Sequence, residues 1–234
     1  MSAGGRPKRI GIVACSAEGA ALCYRTICAE GAGLLGPHAH PEVSLHSYSL
    51  AAYMECIYRN DWLAVGELML ASAEKLAAIG ADFLICPDNT VHQALELVRE
   101  QSPLPWLHIA EVVAEEAAGR GFRRIGITGT RWLVESAVYP EKLVARGLEY
   151  VRPTAEEREE TNRIIMDELV YGVFRAESVA VFQRVMARMA EAGCDAVVLG
   201  CTEIPLLMND ENSPLPTLDS TRLLARAALR RAVR

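Results

Sequence analysis

Apolar and polar positions follow two periods along this chain. In KRIGIVACSAEG (Lys8–Gly19) and RRIGITGTRWLVES (Arg123–Ser136), two basic residues lead into a short β-branched run around a glycine, and small polar residues follow. Both read as a buried strand opening into a loop. LAAIGADFLICPDNTVHQAL (Leu76–Leu95) and MAEAGCDAVVLGCTEIPLLM (Met189–Met208) share another order: helix end, glycine, strand, polar loop. Tyr53–Ile79 has apolar residues at helical spacing and stops at Gly80, which predicts one long helix. EEREETNRIIMDELV (Glu156–Val170) and ESVAVFQRVMARMAEAG (Glu177–Gly193) predict two more, the latter amphipathic and ended by glycine.

These segments match across the halves. Ile10 and Ile125 stand 115 apart, and both the Asp82–Asp195 and Asp88–Cys201 pairs stand 113 apart. One offset therefore aligns the strands to within two residues, as an internal duplication does. Strands alternating with helices predict an α/β fold of two pseudo-symmetric lobes, each a mostly parallel sheet flanked by helices. The first lobe is expected over residues 1–109 and the second over 110–215, with a C-terminal helix over 216–234 packing back on the first. Ligands of such sheets bind at the carboxyl ends of the strands. PDNT and GCTE fall at those ends, so lobes that face each other would set Asp88 and Cys201 across one cleft.

Composition narrows the function classes. With 51% apolar residues among 234, the chain can bury a real core. Its formal charge of -6, with basic residues scattered, leaves no positive stripe for nucleic acid. Apolar runs are broken before the roughly 18 residues a membrane helix needs. Seven cysteines, at 15, 23, 28, 56, 86, 194 and 201, show no zinc-type spacing, and no signal-like segment opens the chain. These features read as a reduced, cytoplasmic protein.

The paired loops, GITGTRW…VY (Gly126–Tyr139), PWLHI (Pro105–Ile109) and LDST (Leu218–Thr221) together resemble the aspartate/glutamate racemase superfamily over nearly the whole chain. The resemblance implies two α/β lobes, no cofactor and no metal, a small amino acid or related carboxylate as substrate, and commonly a homodimer. It also implies two cysteines acting on opposite faces of the substrate α-carbon, one from a CNTxH loop and one from a GCTE loop. Cys201 stands in the second. DNTVH stands on the first, so Asp88 replaces its thiol, and Cys86 comes two positions too early to substitute.

Racemisation takes a proton from one face of a carbon and returns one to the other, so it wants a base opposite an acid. A thiol, with an ordinary pKa near 8.5, suits both roles; an aspartate, near 3.9, needs its environment to shift it. Three readings of Asp88 follow: a working acid/base partner of Cys201, an anchor for a substrate ammonium beside a lone catalytic thiol, or a mark of lost racemase activity. The second resembles the one-cysteine isomerases and decarboxylases of maleate or arylmalonate type. Outside enzymes, a sensor of amino or organic acids could use the same cleft but would not need a thiol.

Asn89, Thr90 and Thr202 are ordinary loop formers that could also hold a substrate carboxylate at the strand-to-helix junctions. Thr130 is a helix cap by default; the resemblance makes it a carboxylate contact, with Ser16 as its counterpart in the first lobe. His92 could orient Asp88 or be purely structural, and Glu203 could tune the thiol or favour a helix start. His38, His40 and His46 in GPHAHPEVSLH look metal-like but lack an acidic or cysteine partner at ligand spacing, so a loop entering a strand is expected. The substrate side chain is less defined. TRWL (Thr130–Leu133) has an apolar residue where relatives often carry a hydroxyl, Thr161–Ser178 has no lysine, and Arg131, Arg163 and Arg175 are the cations at hand. These departures, with the charge of Asp88, argue against free aspartate as the substrate.

Overall fold

The computed structural model describes residues 6–234, which form two compact units. One runs to Ile109 and takes back Leu224–Arg234; the other is Ala110–Leu223. The first contains β1 (Ile10–Ala14), α1 (Ala17–Leu35), β2 (Val43–Ser47), α2 (Leu50–Tyr58), α3 (Trp62–Ala78), β3 (Phe83–Ile85), α4 (His92–Val98) and β4 (Trp106–Leu107). α5 (Ile109–Gly119) leads into the second, with β5 (Arg124–Thr128), α6 (Arg131–Glu135), α7 (Val138–Val144), β6 (Glu149–Val151), α8 (Ala155–Asp167), α9 (Ala176–Glu191), β7 (Ala196–Leu199), α10 (Ile204–Leu207) and β8 (Thr217–Asp219). α11 (Ser220–Ala232) closes the chain.

Each unit holds one four-stranded parallel sheet, and the strand orders are the same: β2-β1-β3-β4 and β6-β5-β7-β8. The α/β class read from the alternation is the class observed. Parallel strands covered on both faces must be apolar throughout; β1, β3 and β7 are buried at every residue. The duplication extends to single hydrogen bonds. Asp82 Oδ2 accepts the Arg9 amide at 2.6 Å, and Asp195 accepts the Arg123 and Arg124 amides at 2.8 and 3.2 Å. The Arg9 guanidinium donates to the Gly80 carbonyl as that of Arg124 does to Ala192, each tying a helix end to the first strand of its sheet.

Two elements differ from the sequence reading. Tyr53–Ile79 is not one helix: Asn60 takes a left-handed conformation (φ 56°), and Asp61 starts α3 by accepting the Ala64 amide at 3.1 Å. A polar Arg-Asn-Asp step within otherwise helical spacing is a cap signal that apolar periodicity does not register. Residues 216–234 are not helical throughout, because Thr217–Asp219 pair with β7 as the edge strand β8. The remainder of α11 is tied to the first unit, with Arg226 clamping Glu30 bidentately and Lys8 donating to the Ala232 carbonyl at 2.8 Å. His46 lies in β2 itself, and among the described residues no group of acidic, cysteine and histidine side chains could hold a metal ion. No described helix is long and apolar enough to cross a membrane.

Candidate active site

In the first unit the sequence-selected residues gather where β1 and its neighbour β3 end. Ser16 caps α1, its Oγ accepting the Gly19 amide at 3.4 Å. After β3 the chain runs through buried Cys86 and Pro87 to half-buried Asp88, then Asn89 (2% exposed) and Thr90. Asp88 Oδ1 accepts the amides of Thr90 (3.0 Å) and Val91 (3.3 Å), an Asx turn that lets the loop enter α4. Cys86 is fully buried; burial, and next the Asp88 charge, push its thiol well above the ordinary range, so it stays protonated. Its Sγ faces the Asp88 carbonyl at 3.8 Å.

His92 supports this loop from below. Its Nδ1–H donates to the Asp88 carbonyl at 2.7 Å and its Nε2 accepts the Ile109 amide at 3.3 Å, which assigns the Nδ1–H tautomer. His108 packs edge-on against it with ring centroids 4.6 Å apart; both rings are 1% exposed. His92 thus does structural work at the Asp88 backbone, and His108, quoted only within PWLHI, is a second layer that nothing in the local spacing singles out. His92→Phe strips partners from two backbone groups in a dry setting and is expected to cost about 2 to 4 kcal/mol in urea unfolding.

In the second unit the matching residues gather after β5 and β7. Thr130 caps α6, Oγ1 accepting the Leu133 amide at 3.3 Å. Leu133 is fully buried, with Cδ2 against Gly129 and Gly200, so the apolar residue in TRWL is core filling. Cys201 (8% exposed) follows Gly200, and its Sγ donates to Glu203 Oε2 at 2.9 Å. Thr202 Oγ1 donates to the same oxygen at 2.7 Å. Glu203 (3% exposed) precedes α10 but makes no capping bond; its carboxylate serves the thiol and Thr202. LDST abuts the same loop, Ser220 Oγ donating at 2.8 Å to the Leu199 carbonyl.

The arginines considered for a substrate side chain have other partners. Arg163 (3.0 Å) and Arg175 (3.8 Å) pair with Glu168, and Arg131 stacks on Trp132 at 4.6 Å. The Ser178 hydroxyl above all, and then Arg163 and Arg175, hold the Glu168 carboxyl below its usual range despite burial pushing it up. A depressed folded-state value means this group stabilises the fold above about pH 4.5 and loses that contribution as pH falls through the folded value. An acid-unfolding series should therefore lose part of its slope below about pH 4.5 in Glu168→Gln.

Comparison with known proteins fits the duplicated architecture. The family model Asp/Glu/Hydantoin racemase matches residues 10–228. The broad specificity amino-acid racemase RacX of Bacillus subtilis (strain 168) is 22% identical over 194 residues, covering 81% of each chain. Among solved structures, a candidate Asp/Glu racemase from Yersinia pestis superposes with TM-score 0.88 at 30% identity, covering 97% of this chain and 100% of that one. An aspartate racemase homologue from Pyrococcus horikoshii OT3 gives 0.83 at 26% identity with the same coverage.

Proposed function

Because the chain belongs to the Asp/Glu/hydantoin racemase family, we propose that it is an amino-acid racemase or epimerase that works through Cys201 and Asp88 without a cofactor. One observation carries the pairing: at the end of β7 stands a thiol donating to a buried carboxylate, and at the end of the equivalent strand β3 stands a carboxylate held by two loop amides. The thiol is placed to donate and the carboxylate to accept. In one direction Asp88 takes the α-proton and the Cys201 thiol gives one to the opposite face. In the other, the Cys201 thiolate abstracts and the Asp88 carboxyl donates. Asn89, Thr90, Thr130, Thr202 and Ser16 hold the substrate carboxylate as negative charge builds on it. Glu203 and His92 position the thiol and the Asp88 loop. The seven unbridged thiols suit a reducing cytoplasm, and a homodimer is the working assembly.

A second reading has its own support. The Asx turn of Asp88 would form in any loop of this shape, so the carboxylate could serve as an anchor while Cys201 alone protonates an enolate, as in a one-thiol isomerase or decarboxylase. Proton NMR in heavy water separates the two. With L- and D-forms of alanine, arginine, lysine, aspartate and glutamate, loss of the α-proton signal with both enantiomers appearing, abolished in Cys201→Ala and Asp88→Asn, supports the two-base racemase. Exchange with retained configuration that survives Asp88→Asn makes Cys201 a lone base, and no exchange directs the search to malonates and maleate-like acids.

A further inference from the structure

Two acidic side chains are buried among the described residues, Glu168 (4% exposed) and Glu203 (3%), and they are treated differently. Glu168 is met by two cations, Arg163 and Arg175, as a buried carboxylate requires. Glu203 is met by none: among the described residues no lysine, arginine or histidine pairs with it. Its hydrogen bonds both fall on one oxygen, Oε2, which accepts the Cys201 thiol at 2.9 Å and the Thr202 hydroxyl at 2.7 Å. Oε1 has no partner among the described residues. The fully enclosed side-chain atoms that lack a partner are Tyr53 Oη, Arg158 Nε and Thr221 Oγ1; Oε1 is not one of them, so it reaches open space.

A carboxylate withdrawn from most of its water is costly unless a positive group meets it. The chain supplies no such group to Glu203, so the counter-charge has to come from whatever binds at Oε1. Cys201 indicates what that is. A thiol that exchanges a proton with the substrate α-carbon stands about 3 to 3.5 Å from it. The Glu203 carboxylate touches the same sulfur and is therefore within reach of the groups bonded to that carbon. Of these, the α-ammonium is the one that is positive in every amino acid, and it only donates. The α-carboxylate would set two like charges against each other.

We propose that Glu203 Oε1 receives the substrate α-ammonium, which makes Glu203 the residue that selects α-amino acids over α-hydroxy acids and over malonate- or maleate-like acids. The inference rests on the reading of the chain as an amino-acid racemase working through Cys201. It supplies a contact that reading lacks, since Asn89, Thr90, Thr130, Thr202 and Ser16 are all assigned to the substrate carboxylate. It also relieves Asp88 of the anchoring role and leaves that side chain for proton transfer. One oxygen of Glu203 holds the thiol and the other holds the group beside the reacting carbon, so a single carboxylate aligns the two. A carboxylate without a counter-charge opposes a thiolate at its side; the bound ammonium cancels that opposition, and a hydroxy acid does not.

The test follows α-proton exchange by the full chain in heavy water, using the amino acid of the panel that exchanges fastest and its α-hydroxy counterpart as competitor. The competitors are lactate for alanine, malate for aspartate, 2-hydroxyglutarate for glutamate, 6-amino-2-hydroxyhexanoate for lysine and 5-guanidino-2-hydroxypentanoate for arginine. In the unmodified protein the inhibition constant of the hydroxy acid should exceed KM of the amino acid by about 10- to 100-fold, the range of a hydrogen bond to a charged group. Glu203→Gln has to keep its amide oxygen toward Cys201 and Thr202, which turns its NH2 toward the ammonium. KM of the amino acid should then rise by about tenfold or more, while inhibition by the hydroxy acid changes by less than about threefold. Glu203→Asp, which keeps the charge, should retain the preference for the amino acid.

Two outcomes would overturn the inference and leave the racemase reading standing: equal affinity for the two acids in the unmodified protein, or a Glu203→Gln variant that loses kcat alone and keeps the preference. In either case Glu203 acts on the thiol and not on the substrate. Exchange with no amino acid of the panel would overturn the racemase reading, and this inference with it.

Discussion

Cys201→Ser is expected to lower α-proton exchange by about 10² to 10⁴-fold, the range lost with a positioned acid or base, while the fold survives. Serine keeps the size of the side chain and its ability to donate to Glu203 Oε2, so the variant removes the thiol chemistry and leaves the hydrogen bond. A hydroxyl does not ionise near neutral pH, so it cannot take the thiolate role in the reverse direction. Exchange near the wild-type rate would show that the donor geometry matters and the sulfur does not, and would end the reading of Cys201 as an acid/base group. Glu203→Gln is the milder companion: it removes the charge beside the thiol but keeps an oxygen for Thr202, and a drop of about tenfold is expected. Alkylation by iodoacetamide should also distinguish Cys201 from Cys86, whose thiol is fully buried and held protonated.

Much of this architecture was legible because the strands are short, β-branched and repeated. Gly11 and Gly126 occupy the same position in the two halves. In each a Cβ would meet a side chain at 2.7 Å, Leu84 Cδ2 in one and the Met189 sulfur in the other, so the sequence pattern reflects one packing constraint met twice. The edge strands were less visible. β4 has two residues, and β6 enters through Glu149 and is exposed at Glu149 and Tyr150, so neither shows a buried apolar run. The site was legible as far as the loops that carry it, since PDNT and GCTE sit at matched strand ends. What Glu203 does was not, because two hydrogen bonds to one oxygen depend on rotamers that spacing does not encode.

Gly200→Ala is expected to be the most disruptive single change in the second unit. A Cβ at Gly200 would lie 2.3 Å from the Thr128 carbonyl oxygen and 2.7 Å from Leu133 Cδ2. The leucine could yield by changing rotamer, but the carbonyl cannot, because it belongs to β5 and accepts the Gly200 amide at 3.0 Å. Relief therefore requires the ends of β5 and β7 to part, at the step that delivers Cys201. Overpacking typically costs 1 to 3 kcal/mol, and a backbone obstacle puts this case at about 3 kcal/mol or more. For a chain of this size that corresponds to a melting temperature lower by about 6 to 12 °C in calorimetry. The same displacement would carry Sγ away from its place, so folded protein that remains at low temperature should also lose exchange activity, by a larger factor than its loss of folded fraction explains. A stable, fully active Gly200→Ala would mean that the strand ends yield without cost, and that the close approach of Gly200 to the Thr128 carbonyl does not fix the place of the thiol.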